Sequence, residues 1–331
     1  MERISIPCLA QQIATEAEAY VFMEALRWGA DNEGLRCPHC GGERAYFLKP
    51  AGGTSRPTRT GTASERRVWK CATCRKQFSV LTGTIFHGTK VPLRTWLFVV
   101  FQMCASKNGI SSREVERTYN LTPKTAWFVL HRIREAMKDD GLTMFRGVVI
   151  ADETFIGGSF KNMHKADRPD RKAGSEGGAS HKIPVLTLID QDTGQARSRV
   201  LPRVTAATLR KAIAEQTDMP STTLYTDGNA AYNEVGREVA AHRTVDHNAD
   251  QYVRYVDGAV ITSNAAEGFF SQLKRSIDGT HHHVSREHLG RYLAEFDFRH
   301  TTRKMTDTAR MALLMGQVEG RRLAYRPLAG S

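Results

Sequence analysis

The sequence predicts an α/β protein built as a small metal-binding module, a helical segment and a larger region of alternating strands and helices. Three observations carry that expectation. Two C-x-x-C pairs stand at Cys37/Cys40 and Cys71/Cys74. Between about Gly83 and Asp140 the apolar residues favour helices. From Arg146 onward β-branched runs alternate with helix formers. The first of these, R-G-V-V-I-A-D-E-T-F-I-G-G, leads into the acids Asp152 and Glu153 before closing on Gly157 and Gly158.

A formal net charge of +12 and an isoelectric point near 9.6 favour a polyanionic partner, most often nucleic acid. The chain has no run of eighteen apolar residues, and its start, M-E-R-I-S-I-P, does not read as a secretory signal. A helical membrane protein is therefore not expected, and the expected location is the cytosol. In a reducing compartment, paired cysteines speak for metal rather than disulfides.

Residues 1–34 read as a helical lead-in, with Thr15 as N-cap and Ala19, Phe22, Met23, Leu26 and Ala30 along one face. Residues 35–82 read as the metal module. Cys37, Cys40, Cys71 and Cys74 supply four thiolates with no open position, which predicts one structural Zn²⁺. Gly41 and Gly42 permit the tight turn after the first pair. Tyr46, Trp69 and Phe78 suit short strands around the site. The pairs are separated by 30 residues, of which 51–64 read as a flexible insertion. His39 is not expected to be a ligand, and Cys8 and Cys104 read as small apolar residues.

Within residues 83–142, T-W-L-F-V-V-F-Q-M-C-A predicts a buried helix. A short helix follows, capped by Ser111 or Ser112, then a turn at Asn120 to Thr122, then a helix opened by Pro123. This order is helix-turn-helix-like. In that motif the second helix points its N-terminus at the bases, which nominates Lys124 and Thr125, with Arg132 and Arg134 for phosphate.

Residues 143–305 carry the acids. After the first strand come a basic, Gly-rich loop at 161–180, a strand in H-K-I-P-V-L-T-L-I-D, an antiparallel partner at 196–200 and a helix at 205–217. A strand at 222–226 then delivers Asp227. A less regular section with His242, His247 and Tyr252 precedes I-T-S-N-A-A-E-G-F-F-S-Q-L-K-R, where Asn264 and Glu267 share one helix face. Two strand-borne aspartates and a helix-borne acid, 75 and then 40 residues apart, allow two Mg²⁺ ions to be held over one phosphodiester. Residues 306–331 read as a helical tail.

The strand order and Asp placement resemble the ribonuclease H fold. With the paired C-x-x-C, A-D-E-T-F-I-G-G, Y-T-D-G-N-A-A-Y and S-N-A-A-E-G-F-F-S-Q-L-K-R-S-I-D-G-T-H-H-H-V followed by Y-L-A-E-F-D-F-R, the chain resembles the DDE transposases of bacterial insertion sequences. Within these it is similar to the ISXO-like group with an N-terminal zinc ribbon, over about residues 20–305. The resemblance implies a ribonuclease H-like (DDE/integrase-type) catalytic domain behind a zinc ribbon and a helix-turn-helix. It implies Mg²⁺- or Mn²⁺-dependent cleavage and strand transfer at the element's ends, with Asp152 and Asp227 as ligands of two ions.

The third ligand is Glu267 or Asn264. An anionic oxygen binds Mg²⁺ more strongly than a neutral amide, so Glu267 ranks first. Glu153 alternates to the opposite side of its strand and is expected in a salt bridge or cap. Lys274 and Arg275 are nominated for DNA phosphate, and His281 to His283 for phosphate or solvent rather than metal. The implied partners are the element's terminal inverted repeats and target DNA. At least a dimer is expected, since two ends must be joined, in the cytoplasm of a bacterium and on its nucleoid when DNA-bound. Rival expectations are a ribonuclease H-like nuclease or resolvase, and a non-catalytic DNA-binding regulator derived from a transposase.

Overall fold

The computed structural model describes residues 4–48, 66–141, 143–157, 182–245, 253–256 and 259–323. The predicted insertion at 51–64, the basic loop at 161–180, Gly158, His247 and Tyr252 lie outside the described residues. The chain divides into two compact units, residues 1–137 with 304–331, and residues 138–303.

In the first unit, α1 (Ile6–Gln12) is followed by α2 (Glu16–Trp28), which starts on a reciprocal capping box between Thr15 and Glu18. The buried stripe of α2 is Ala19, Tyr20, Met23, Glu24 and Trp28. It does not extend to Ala30, because Gly29 at φ 83° ends the helix in a conformation that glycine adopts at little cost. Three short strands, β1 (Ala45–Phe47), β2 (Trp69–Cys71) and β3 (Gln77–Phe78), form an antiparallel sheet in that order. Trp28 stands edge-on to Trp69 and Phe78, with ring centroids 5.9 and 6.3 Å away. The lead-in helix and the cysteine module therefore share one core. Strand alternation turns Phe47 inward, 5.6 Å from Trp69, and leaves Tyr46 exposed. Beneath them the buried Glu24 carboxylate accepts from Trp69 Nε1 at 2.8 Å and Arg67 Nε at 2.6 Å.

The three following helices match expectation. α3 (Leu93–Ala105) buries eight of its residues, α4 (Ser112–Tyr119) is capped by Ser111 and ends at Asn120 in the left-handed region, and α5 (Pro123–Ala136) is capped by Thr122. The segment expected as a tail belongs to this unit. Its helix, Asp307–Gly316, is preceded by a cap at Thr306, and Thr308 Oγ1 accepts from the Ile4 amide at 2.6 Å. The Ile85 amide donates to the Val318 carbonyl at 3.1 Å, and Arg321 donates to the Glu135 carbonyl at 2.8 Å.

The second unit contains β4 (Phe145–Ile156), β5 (Ile183–Asp190), β6 (Ala196–Val200), α6 (Ala206–Ala214), β7 (Thr217–Thr226), α7 (Asn233–Gly236), β8 (Ala241–Thr244), the hairpin β9 (Val253–Val256) and β10 (Ala259–Thr262), α8 (Asn264–Ser276) and α9 (Arg286–Thr301). The main sheet has the order β6-β5-β4-β7-β8, with β4, β5 and β6 antiparallel and β7 and β8 parallel to β4. A parallel partner needs a crossover, which α6 supplies. That helix stops at Ala214 rather than Thr217, because Thr217 already pairs with Phe145.

Alternation along β4 separates two cores. Ile150 and Ile156 pack with Phe269, Phe270 and Leu273 of α8 and Leu293 and Phe296 of α9. Val149 and Ala151 pack with Leu209 and Ile213 of α6 and with Tyr232. β4 also runs farther than its sequence suggests, since Asp152 to Ile156 continue to pair with β5.

Candidate metal centres and nucleic-acid contacts

The parallel pairing of β4 with β7 runs from Gly147↔Thr222 to Ile150↔Tyr225 and then stops. Counted on by two residues, the same register aligns Asp152 with Asp227, which stands directly after β7. Asp152 follows Ile150 by two residues and so shares the sheet face that α8 covers. From that helix Glu267 acts on it electrostatically. Burial raises the Asp152 carboxyl to about 7, and the charges of Glu153, Asp227 and Glu267 push it in the same direction while the Glu153 amide opposes them. Asp152, Asp227 and Glu267 are all half-buried, Asp227 and Glu267 act electrostatically on Asp152, and carboxylate oxygens are the chemistry a hard divalent cation takes. Glu267 is half-buried whereas Asn264, one turn earlier, is exposed, which favours the carboxylate as the third ligand.

Glu153 lies on the opposite side of β4, as alternation requires. Its Oε1 accepts from Asn229 Nδ2 at 2.7 Å and its Oε2 accepts from the Tyr232 hydroxyl. Burial raises its carboxyl, and these two donors resist the rise. The Asn229 amide in turn donates to Asp227 Oδ1 at 3.1 Å, and the Glu153 amide to Asp152 Oδ1 at 2.7 Å. On the strand itself, Thr226 Oγ1 and His242 Nε2 of β8 are 2.8 Å apart, and burial lowers the His242 pKa. Sequence reasoning missed Asn229 and Tyr232. The available signal was T-D-G-N-A-A-Y, a turn motif in which Asn and Tyr follow the acid Asp227 at short range.

The four cysteines converge as predicted. Their Sγ atoms all lie within 4.8 Å of one another, and among the described residues they are the only such group of three or more candidate ligands. Cys37 Sγ is 3.6 Å from Cys74 Sγ, and Cys40 Sγ is 3.7 Å from Cys71 Sγ. A tetrahedral ion with bonds of about 2.3 Å to sulfur needs edges of about 3.8 Å, so the cluster fits a structural zinc. Gly41 at φ 72° and Arg75 at φ 64° take equivalent left-handed positions directly after the two pairs. The Cys74 amide, with that of Thr73, lowers the Cys71 thiol, while against the Gly42 amide the hydrogen bonds with Cys74 and the other thiols raise that of Cys40, as expected of four thiols crowded together.

The DNA-facing nominations divide. Lys124, Lys274 and Arg275 are exposed. Thr125 is half-buried and is used in the cap of α5, its amide donating to Thr122 Oγ1 at 3.2 Å. Arg132 and Arg134 are corrections, being only 5 % and 1 % exposed and so out of reach of a phosphate. Arg132 donates to the His87 carbonyl at 2.7 Å and lies over the rings of Trp96 and Phe128. Burial, with Arg322 nearby, lowers its pKa to about 10. In a DNA-binding titration, Lys124→Ala should reduce the slope of log affinity against log salt by about one, as loss of one phosphate contact does. Arg132→Met should leave that slope unchanged and lower the melting temperature.

A mixed five-stranded sheet with helices packed on it, preceded in the chain by a four-cysteine ribbon, is the α/β, ribonuclease H-like architecture expected from the sequence. Residues 144–301 match the family described as the ISXO2-like transposase domain, and residues 14–77 match the transposase zinc-ribbon domain. The chain thus carries a region similar to the ISXO2-like transposase domain behind one similar to the transposase zinc ribbon. The ribbon match includes α2, in keeping with its shared core. A relative from Halobacterium salinarum (strain ATCC 700922 / JCM 11081 / NRC-1), named as an uncharacterized protein in transposable element ISH50, is 27% identical over 290 residues, covering 86% of this chain and 90% of that protein. Among solved structures, a simian T-cell lymphotropic virus intasome in complex with PP2A regulatory subunit B56 gamma matches at 16% identity and a TM-score of 0.27. That match covers 55% of this chain and 63% of the other, under two thirds of its length, and so loose a superposition bears no weight here. No described helix is long and apolar enough to cross a membrane.

Proposed function

We propose that the chain is a transposase that cuts DNA at the ends of a mobile element and joins the freed end to a target strand. The single observation that supports this most is the β4–β7 register, which, counted two residues past its last pair, aligns Asp152 with Asp227 at the end of the sheet that α8 covers. Asp152, Asp227 and Glu267 would hold two divalent ions, Mg²⁺ or Mn²⁺, with Asn264 as the alternative to Glu267. When bound, such ions activate an attacking oxygen and stabilise the leaving one.

The chain's own residues supply placement. Asp152 is carried by β4, which is paired to β5 at that position, and Asp227 stands directly after β7, so each follows from a paired strand that holds its carboxylate more rigidly than a loop would. Glu267 is carried by a helix anchored through Phe269, Phe270 and Leu273. Lys274 and Arg275, exposed on later turns of the same helix, would take the phosphates flanking the reacting bond. Lys124, at the start of α5, would contact element-end DNA together with the zinc ribbon. Joining two ends in one reaction calls for at least a dimer on DNA.

A nuclease or resolvase of the same fold would share the acids but would not join a pre-cleaved end to a second duplex. Incubating the full chain with a pre-cleaved end bearing a free 3′-hydroxyl, a target duplex and Mg²⁺ separates the two. Joined product is expected, and cleavage without joining would favour the nuclease. In the same assay Glu267→Gln should lose activity far more than Asn264→Ala, and the reverse order would make Asn264 the third ligand. No activity with tight DNA binding would favour the regulator.

A further inference from the structure

Glu153 stands next to a proposed metal ligand, yet both of its oxygens are engaged by residues that follow the other one. The ladder between β4 and β7 ends at Ile150↔Tyr225, two residues short of Asp152 and Asp227. Backbone pairing alone therefore does not fix the distance between the two aspartates. What bridges the gap is a side-chain clasp. Asn229 Nδ2 donates to Glu153 Oε1 at 2.7 Å, and the fully buried Tyr232 donates its hydroxyl to Glu153 Oε2. From the ends of this clasp, the amides of Glu153 and Asn229 reach Asp152 Oδ1 and Asp227 Oδ1. One connected path thus runs from Asp152 through Glu153 and Asn229 to Asp227.

We propose that Glu153 is a positioning residue, which fastens the Asp227 turn to β4 and so sets the spacing at which Asp152 and Asp227 hold divalent cations. This rests on the proposed assignment of the two aspartates as ligands. Glu153 is not itself a ligand, because strand alternation turns it away from the α8 face and its oxygens already have partners. Residues that orient metal ligands typically change affinity by about 10–100-fold when removed.

The test is Mn²⁺ binding by calorimetry or electron paramagnetic resonance on the full chain, its zinc ribbon left loaded. Tyr232→Phe and Asn229→Ala remove one arm of the clasp each and leave every charge in place. Both should weaken Mn²⁺ binding about tenfold or more while the circular dichroism spectrum stays that of the wild type. Asn229 is exposed, so its replacement leaves the core intact even where loss of the Tyr232 hydroxyl disturbs folding. Glu153→Gln should bind within about threefold of wild type, since its carbonyl still accepts from Asn229 and its amide can donate to the tyrosine oxygen. Wild-type affinity in Tyr232→Phe and Asn229→Ala, or a loss confined to Glu153→Gln, would overturn the clasp and leave charge as the relevant property. Asp152→Asn and Asp227→Asn belong in the same titration. Should they bind Mn²⁺ normally, the ligand assignment itself fails; should they lose it while the clasp variants do not, only the positioning role fails.

Discussion

Asp152→Asn is expected to reduce strand cleavage and joining by about 10³-fold or more, the scale on which a lost transition-state interaction acts, and at the same time to stabilise the metal-free protein. The second effect follows from the electrostatics of the site. Burial, together with Glu153, Asp227 and Glu267, raises the Asp152 carboxyl from the ordinary range to about 7. Between those two values the folded protein keeps a proton that the unfolded chain has released, so stability falls as pH rises through that window. The full penalty, on the order of 2–4 kcal/mol, is present above about pH 7. Asparagine carries no charge at any pH and removes it.

Thermal melts in chelator should therefore show a gap between variant and wild type that opens from about pH 4 to about pH 7 and then levels. Added Mg²⁺ should narrow the gap by stabilising the wild type alone. A variant less stable than wild type at pH 8 in chelator would mean that Asp152 is held by favourable partners rather than crowded by like charges. The pattern is that of a functional site whose charges are tolerated at the expense of stability.

The other large effect is at the ribbon. Cys71→Ser should abolish zinc retention and unfold the cysteine module, because most of the free energy of zinc binding, on the order of 10 kcal/mol in small zinc modules, is folding free energy. The four tryptophans, at positions 28, 69, 96 and 127, all belong to the first unit, and Trp28 stands edge-on to Trp69, which shares β2 with Cys71. Intrinsic fluorescence should shift to the red as zinc leaves, and elemental analysis should fall from one zinc per chain to none. A native emission spectrum in excess chelator, with no zinc detected, would contradict the four-thiolate site.

Local chemistry made much of this legible in the sequence. Thr15, Ser111, Thr122 and Pro123 mark helix starts because capping is decided within three or four residues. The paired cysteines were legible because their chemistry restricts which residue types can serve, and the same restriction is what nominates Asp152, Asp227 and Glu267. What the sequence hid depends on partners far away in the chain. Arg132 reads as a solvated cation on a helix, and only the fold brings the His87 carbonyl and the Trp96 ring to it. β4 reads as ending at its acids, but its pairing to β5 continues to Ile156. Glu153 reads as a neighbour of Asp152, and its role as an acceptor for Asn229 and Tyr232 depends on residues more than seventy positions on. The hairpin of β9 and β10 was legible and was overlooked: Asp257-Gly258 between Y-V and A-V-I is a two-residue hairpin signal, obscured by the irregular stretch before it. By contrast, nothing in residues 306–331 announced that they would return to Ile4 and Ile85.

The claim that Asp152, Asp227 and Glu267 hold catalytic divalent ions is tested most directly by Asp227→Cys in the joining assay, run in parallel with Mg²⁺ and Mn²⁺. Thiolate is a poor ligand for Mg²⁺ and a better one for Mn²⁺, so a true ligand position should change the metal requirement rather than only the rate. The expected result is loss of joining in Mg²⁺ with substantial recovery in Mn²⁺. Equal activity in the two metals, or an equal loss in both by a folded protein, would contradict the assignment of Asp227 as a metal ligand.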